Sequence, residues 1–301
     1  MNFEIDIMQR YVALGDEFGS LMVDLIYETR DSHPELSAFS LKHFSYCIER
    51  INSILLLLQH NSLWDAEIVA RPLIECSVRL CYVCYAPTGS QIDLIQEYDR
   101  SLYEINRLEQ SERAKKSAAS EYSYDGSDVD PNPSILSEDA ENHLRSLWPK
   151  STRKALKQKW SFSEMVRQID IWTKPYFKRE LFSGFIYSYG IGSHLIHADE
   201  SGMGLVQNRN QKEPDEIKMV ERAHLLKLLN LVLTSSMLTT TGMAISVGNR
   251  VLETLDLINR LTSLESYQDP LVDALMEKWR LKREELNRLD AEHLGVPQRT
   301  G

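Results

Sequence analysis

The chain has 301 residues, of which 43% are hydrophobic and 26% charged, so it carries enough apolar surface to bury a core and is excluded from the disordered class. A net charge of −10 excludes a surface that is basic all over, as coating nucleic acid would need, and leaves room only for a local basic patch. Four cysteines (Cys47, Cys76, Cys81 and Cys84) are too few for a disulfide framework, and the start Met-Asn-Phe-Glu-Ile-Asp lacks the basic and apolar segments of a signal peptide; both point to reduced thiols in a cytoplasmic protein.

Apolar residues recur at helical spacing almost throughout, with no sustained period-2 alternation, so the expected class is all-α: a multi-helix bundle of eight to nine helices in a single domain over 1–301. The first helix covers 2–30 and stops at Asp31-Ser32-His33-Pro34, because the residue before a proline avoids the helical region. A second runs over 35–60, and a third starts near Ser62, a cap candidate, and ends at Pro87-Thr88-Gly89. A highly charged fourth spans 90–118. Residues 119–135, rich in Ser, Asp, Gly and Pro, read as an acidic flexible loop. Helices resume over 136–158, over 161–172, where Ser161 and Glu164 have capping-box spacing, and over 174–198. A Gly- and Asn-containing loop follows at 201–213, then helices over 214–262, breaking near Gly242, and over 268–294. Residues 228–247 carry no charge and are long enough to span a bilayer, but eight Ser, Thr and Asn side chains favour a helix buried among others, so no membrane partner is expected.

Two segments carry candidate chemistry. In the third helix, Glu67, Arg71, Glu75 and Arg79 are spaced by four and are the only charges between Ala66 and Tyr85, so each is expected to pair with the next on one helix face. Pro72 inside this helix frees the carbonyl of Ile68 and predicts a kink. Further on, Tyr189, Ser193 and His197 again recur every four residues, beside Gly190 and Gly192, which allow a close backbone approach. No elbow motif accompanies Ser193, and His194, His197 and Asp199 lack a metalloprotease pattern, so neither a serine hydrolase nor a metal or cofactor is implied. Cys81 and Cys84 read as core packing. Charge is segregated around the middle of the chain: residues 117–144 carry acids only. The basic Trp-containing segment 145–160 carries bases only, among them Lys154 and Lys157, and suits contact with RNA or a phosphate.

With Ala70-Arg71-x-x-x-Glu75, Lys159-Trp160-Ser161 and Tyr189-x-x-x-Ser193-x-x-x-His197, the chain resembles, over roughly residues 40 to 250, a bacterial family of uncharacterised all-helical proteins. That resemblance implies a helical fold with a shared polar centre and no assigned reaction. A looser similarity is to HEPN-type helical domains, many of them ribonucleases of toxin–antitoxin and phage-defence systems. It rests on Arg288-Leu-Asp-Ala-Glu-His293, where Leu follows the Arg.

Two functional expectations follow. In the first, a HEPN-like defence or stress-response protein binds or cleaves RNA or a nucleotide at a centre whose catalytic residues are Arg71, Glu75 and His197, with Tyr189, Ser193, Arg79, Lys154 and Lys157 holding the substrate. In the second, a non-catalytic interaction protein or dimeric scaffold uses the same groups structurally. Either is compatible with a homo-oligomer, a homodimer first, or with a protein partner.

Overall fold

The computed structural model describes residues 3–118, 134–177, 180–265 and 270–294. Among these residues there are helices and turns and no strand. The helices are α1 (Phe3–Glu28), α2 (Pro34–Gln59), α3 (Leu63–Cys84), α4 (Gln91–Gln96), a π-helical segment (Glu97–Leu102), α5 (Tyr103–Ala118), α6 (Glu138–Leu147) and α7 (Lys150–Lys159). After them come α8 (Phe162–Phe177), α9 (Gly184–His197), α10 (Glu200–Asn210), α11 (Pro214–Val247), α12 (Val251–Glu265) and α13 (Pro270–Leu294). The all-α class stands, but the helices outnumber the eight to nine expected.

The extra helices arise where local chemistry interrupts an apolar pattern. Trp148 and Pro149 split the expected 136–158 helix into α6 and α7. The expected 214–262 helix breaks at Gly248, whose φ of +66° closes α11 with a left-handed turn, its N–H reaching Ile245 O and that of Asn249 reaching Ala244 O. Gly242 stays helical; a Cβ there would lie 2.9 Å from the Tyr85 ring, so its smallness serves packing. The expected loop 201–213 is mostly α10, because Asp199 accepts from the Gly202 N–H and caps a new helix. Gly202 also sits against the end of α9, where a Cβ would fall 2.4 Å from His194 O. In place of a helix from 174, α8 runs on to Phe177, and the buried Asp170 gathers the N–H groups of Leu181, Phe182 and Ser183 at 2.9–3.1 Å, folding the turn that starts α9. Neither Ser62 nor the Ser161/Glu164 pair caps as expected: Ser62 makes no capping bond, Ser161 donates back to Gln158 O, and Glu164 pairs with Arg167. Of the expected acidic loop, 119–133 lies outside the described residues.

α3 is the central element, packed on α2, α8, α9 and α11. It stays continuous through Pro72. Its apolar side chains join those of α1, α2, α8 and α11 in one connected core that includes Phe18, Leu25, Ile54, Leu73, Leu80 and Met243. Cys47, Cys76, Cys81 and Cys84 are all buried thiols. The apolar stretch of α11 passes a length-and-hydropathy test for a membrane span, and 72% of that window is buried inside the protein. Two of its hydroxyls turn back onto its own carbonyls, Thr239 onto Ser235 O at 2.9 Å and Ser236 onto Val232 O at 3.2 Å, and Thr240 donates to Phe18 O of α1 at 3.3 Å.

Candidate functional site

The charged stripe of α3 does not form the expected ladder. Four residues of α-helix advance by about 400°, so a four-spaced stripe precesses about 40° per step and turns about 120° from Glu67 to Arg79. Its members therefore face three different neighbours.

Glu67 turns to α11. It is 1% exposed and accepts from Lys227 Nζ at 2.7 Å and from His224 Nε2 at 2.9 Å. Burial alone would push its carboxyl up; the bonds from His224 and Lys227 outweigh that and hold it below its usual value. The His224 ring stands edge-on to Trp64 at 4.8 Å, and the buried Arg209 of α10 lies over Trp64 at 4.3 Å. Arg71, one turn on, faces α9: its Nη2 donates to the Tyr189 hydroxyl at 3.1 Å with the guanidinium 4.6 Å from the ring centre, and Tyr189 stacks on Phe162 at 3.9 Å. Gly192 makes this crossing close, since a Cβ there would meet Arg71 Cβ at 3.0 Å. Ser193 is half-buried. His197 is exposed at the end of α9, and no hydrogen bond or ion pair among the described residues joins it to Arg71 or Glu75.

Glu75 and Arg79 turn to the other side, where they pair at 2.9 Å and line a groove. The groove consists of two cavities of about 400 and 370 Å³ that share Lys42, Arg79 and Tyr98. The first adds His43, Tyr46, Pro72, Glu75 and Cys76; the second adds Asp99, Tyr103, Lys157 and Trp160 among others. The groove thus holds three cations, Lys42, Arg79 and Lys157, against two carboxylates, Glu75 and Asp99, on a chain of net charge −10.

Each wall has a local cause. Lys42 and Tyr46 are one turn apart on α2. Tyr98 and Asp99 come from the π segment, a widened turn of the kind that recurs at functional sites. Glu97, in the same segment, accepts from Trp160 Nε1 at 2.5 Å and from Lys159 at 3.0 Å, which locks the π turn to the end of α7. The basic block pairs here with α5, Lys157 with Glu109 and Arg145 with Glu112, and meets the acidic block where Arg145 lies 3.7 Å from Glu141. Lys154 is exposed and lines neither cavity. At the centre, Arg79 and Lys42 lie 5.3 and 5.5 Å from the Tyr98 ring centre. His43 is buried beneath, its Nδ1 bonded to Phe39 O at 2.9 Å, and burial pushes its pKa down to about 4.

The structure therefore brings Glu75, Arg79 and Lys157 to one groove, Arg71 and Tyr189 to a helix crossing behind it, and leaves Lys154 and His197 on the surface. Sequence reasoning missed Lys42, Tyr98 and Trp160 as a cluster and Glu67 as a buried ion. Of the looser HEPN pattern, Arg288 is exposed on α13 and the side chain of His293 lies outside the described residues. Among the described residues no cluster of His, Cys, Asp and Glu has metal-binding geometry. The chain matches the model of a Family of unknown function (DUF5677) over residues 38–215, which takes in most of α2 and all of α3 through α10, and thus both sides of the groove. No curated protein and no solved structure matches.

Proposed function

We propose, for a chain that belongs to the DUF5677 family of unknown function, that the groove between α2, α3, the π segment and α7 binds a phosphate-bearing ligand, an RNA or a nucleotide. The observation that carries this is the Tyr98 ring flanked by Lys42 and Arg79 where the two cavities join. The ring is held from behind by His43 at 5.4 Å and Trp160 at 5.1 Å; a planar base stacks on the part left exposed to the groove while a guanidinium and an ammonium neutralise phosphate oxygens. Each cavity falls within the roughly 300–1,000 Å³ of small-molecule sites. The counter-ion of Lys42 is no obstacle: Lys42 and Asp99 are 57% and 41% exposed, and such pairs are worth about 0–1 kcal/mol, less than a charge-assisted bond to phosphate at about 1.5–3 kcal/mol.

The finer form of this reading, a HEPN-like defence protein that cleaves the RNA it holds, needs a proton-moving group in the groove. His43, with a pKa of about 4, is a weak base at neutral pH, His197 lies outside the lining, and Glu75 is within it but tied to Arg79 at 2.9 Å. Binding without turnover is therefore the form proposed. Arg79→Ala and Lys42→Ala should each weaken nucleotide or RNA binding by tenfold or more in calorimetric titration, with melting temperature nearly unchanged, while Lys154→Ala binds as wild type. Equal binding by all three variants would refute the site, and turnover of RNA by the wild type would favour the finer form.

A further inference from the structure

Beyond the Tyr98 platform, the two cavities form a row. Tyr46 and Tyr98 both line the first, and Tyr98 and Tyr103 both line the second, so the three rings follow one another along the groove. Each carries a cation on its ring: Arg50 at 5.1 Å from Tyr46, Arg79 at 5.3 Å from Tyr98, and Arg107 at 6.0 Å from Tyr103. The outer two rings are 41% and 58% exposed, far more than a phenol placed for packing needs. A mononucleotide would use one ring and one cation. A repeat of ring and cation matches the repeat of base and phosphate in an unpaired strand, whose bases are free to stack because no second strand covers them.

Resting on the groove reading above, we infer that the ligand is a single-stranded nucleic acid of at least three nucleotides, its bases stacked on Tyr46, Tyr98 and Tyr103 and its backbone neutralised by Arg50, Arg79 and Arg107. The open faces of the outer rings take bases while the cations hold the opposite faces and the neighbouring phosphates. Nothing in the row reads base edges, so the contact is sequence-tolerant.

The test is fluorescence anisotropy of the full chain with a labelled eight-nucleotide RNA, the same sequence as DNA, a trinucleotide, the eight-nucleotide duplex and AMP as competitor. Affinity should rise from AMP to trinucleotide, the duplex should bind at least tenfold more weakly than the single strand, and the affinity should fall with salt at a log–log slope of about −2, near −0.7 for each of three phosphates. Tyr46→Ala and Tyr103→Ala should each weaken the eight-nucleotide strand by about 5- to 150-fold, the range for a lost base stack, and by clearly more than they weaken AMP, which needs only one ring. RNA and DNA binding alike supports backbone and base-face contact; RNA binding alone supports the same row with a ribose 2′-hydroxyl contact. If AMP binds as tightly as the strand, or the tyrosine variants bind the strand normally, the three-ring row is overturned while the nucleotide reading survives. If neither AMP nor any strand binds, both are overturned.

Discussion

Replacing Glu67 with Gln perturbs the one fully buried carboxylate of α3 with little change of shape. Two charge-assisted bonds disappear, from Lys227 at 2.7 Å and His224 at 2.9 Å, each worth about 1.5–3 kcal/mol. Part is recovered, because the Lys227 side chain is 31% exposed and its ammonium can swing into water, whereas His224, at 9%, stays covered. A net loss of about 3 kcal/mol results, the lower end of the 3–5 kcal/mol seen when one partner of a buried pair is removed. With an unfolding entropy near 2.1 cal/mol/K per residue, a chain of 301 residues has about 0.6 kcal/mol/K, so the melting temperature should fall by about 5 °C in differential scanning calorimetry at pH 7. Arg71→Ala, which loses a part-buried charge-assisted hydrogen bond and a ring contact to Tyr189, should cost about 2 kcal/mol and about 3 °C. The pH dependence has a definite sign. The Glu67 carboxyl is held below its usual value in the folded state, so its stabilisation is present above about pH 4.5 and is lost as pH falls through the folded value. The gap between wild type and Glu67→Gln should therefore close on acidification. A Glu67→Gln protein melting within 1 °C of wild type at pH 7, or below Arg71→Ala in effect, would refute the assignment of Glu67 as the ionic anchor between α3 and α11.

Three other outcomes follow from particular contacts. Asp170→Ala strands the N–H groups of Leu181, Phe182 and Ser183 in a buried turn and should cost about 3 kcal/mol by urea denaturation, with amide exchange at 181–183 accelerated ahead of the rest of α9. His43 has a folded pKa of about 4, below its unfolded 6.5; the unfolded chain binds the proton first, so stability should fall between pH 6.5 and 4 by up to about 3 kcal/mol, and His43→Gln should flatten that part of the profile. Of the four thiols, Cys76 alone lines the groove; the hydrogen bond with Cys47 and burial push it up, and burial pushes Cys84 up to about 12. Native protein should thus label slowly with a maleimide, first at Cys76, and a groove ligand should slow that labelling further, as read by peptide mass mapping.

The helical class was legible because it depends on local periodicity, and the meeting of α3 with the Tyr189 helix because each carries polar residues on an otherwise apolar stretch. The destination of each charge was not. A four-residue spacing reads as one face over two turns, but over Glu67 to Arg79 the small precession per step accumulates, and the partners that divide the stripe, His224 and Lys227 on one side and Lys42 and Tyr98 on the other, are set by helix crossings that no local pattern encodes. The break in the long α11–α12 stretch was misplaced for a related reason. Gly242 and Gly248 look alike in sequence, and only the Tyr85 ring against one and the positive φ of the other distinguish packing from termination. α10 was hidden by its own glycines, which the approach of Gly202 to the His194 carbonyl requires.

The π segment at Glu97–Leu102 constrains chain length as well as geometry. A π turn holds one residue more than an α turn between flanks that stay in helical phase, so removing Ser101 would let α4 run into α5 as regular helix without rotating either flank, and would lose the widened turn that presents Tyr98 and Asp99. Glu97, which holds Trp160, and Glu104, which holds the Trp148 indole at 2.8 Å, would keep their partners on the α6–α7 layer, so the loss would fall on the groove and not on the fold. Substitutions here can be absorbed one side chain at a time. A change in the number of residues alters the groove wall itself, so among relatives that keep this groove the stretch should drift in composition while keeping its count, and an alignment gap inside it would mark a protein whose groove is built differently.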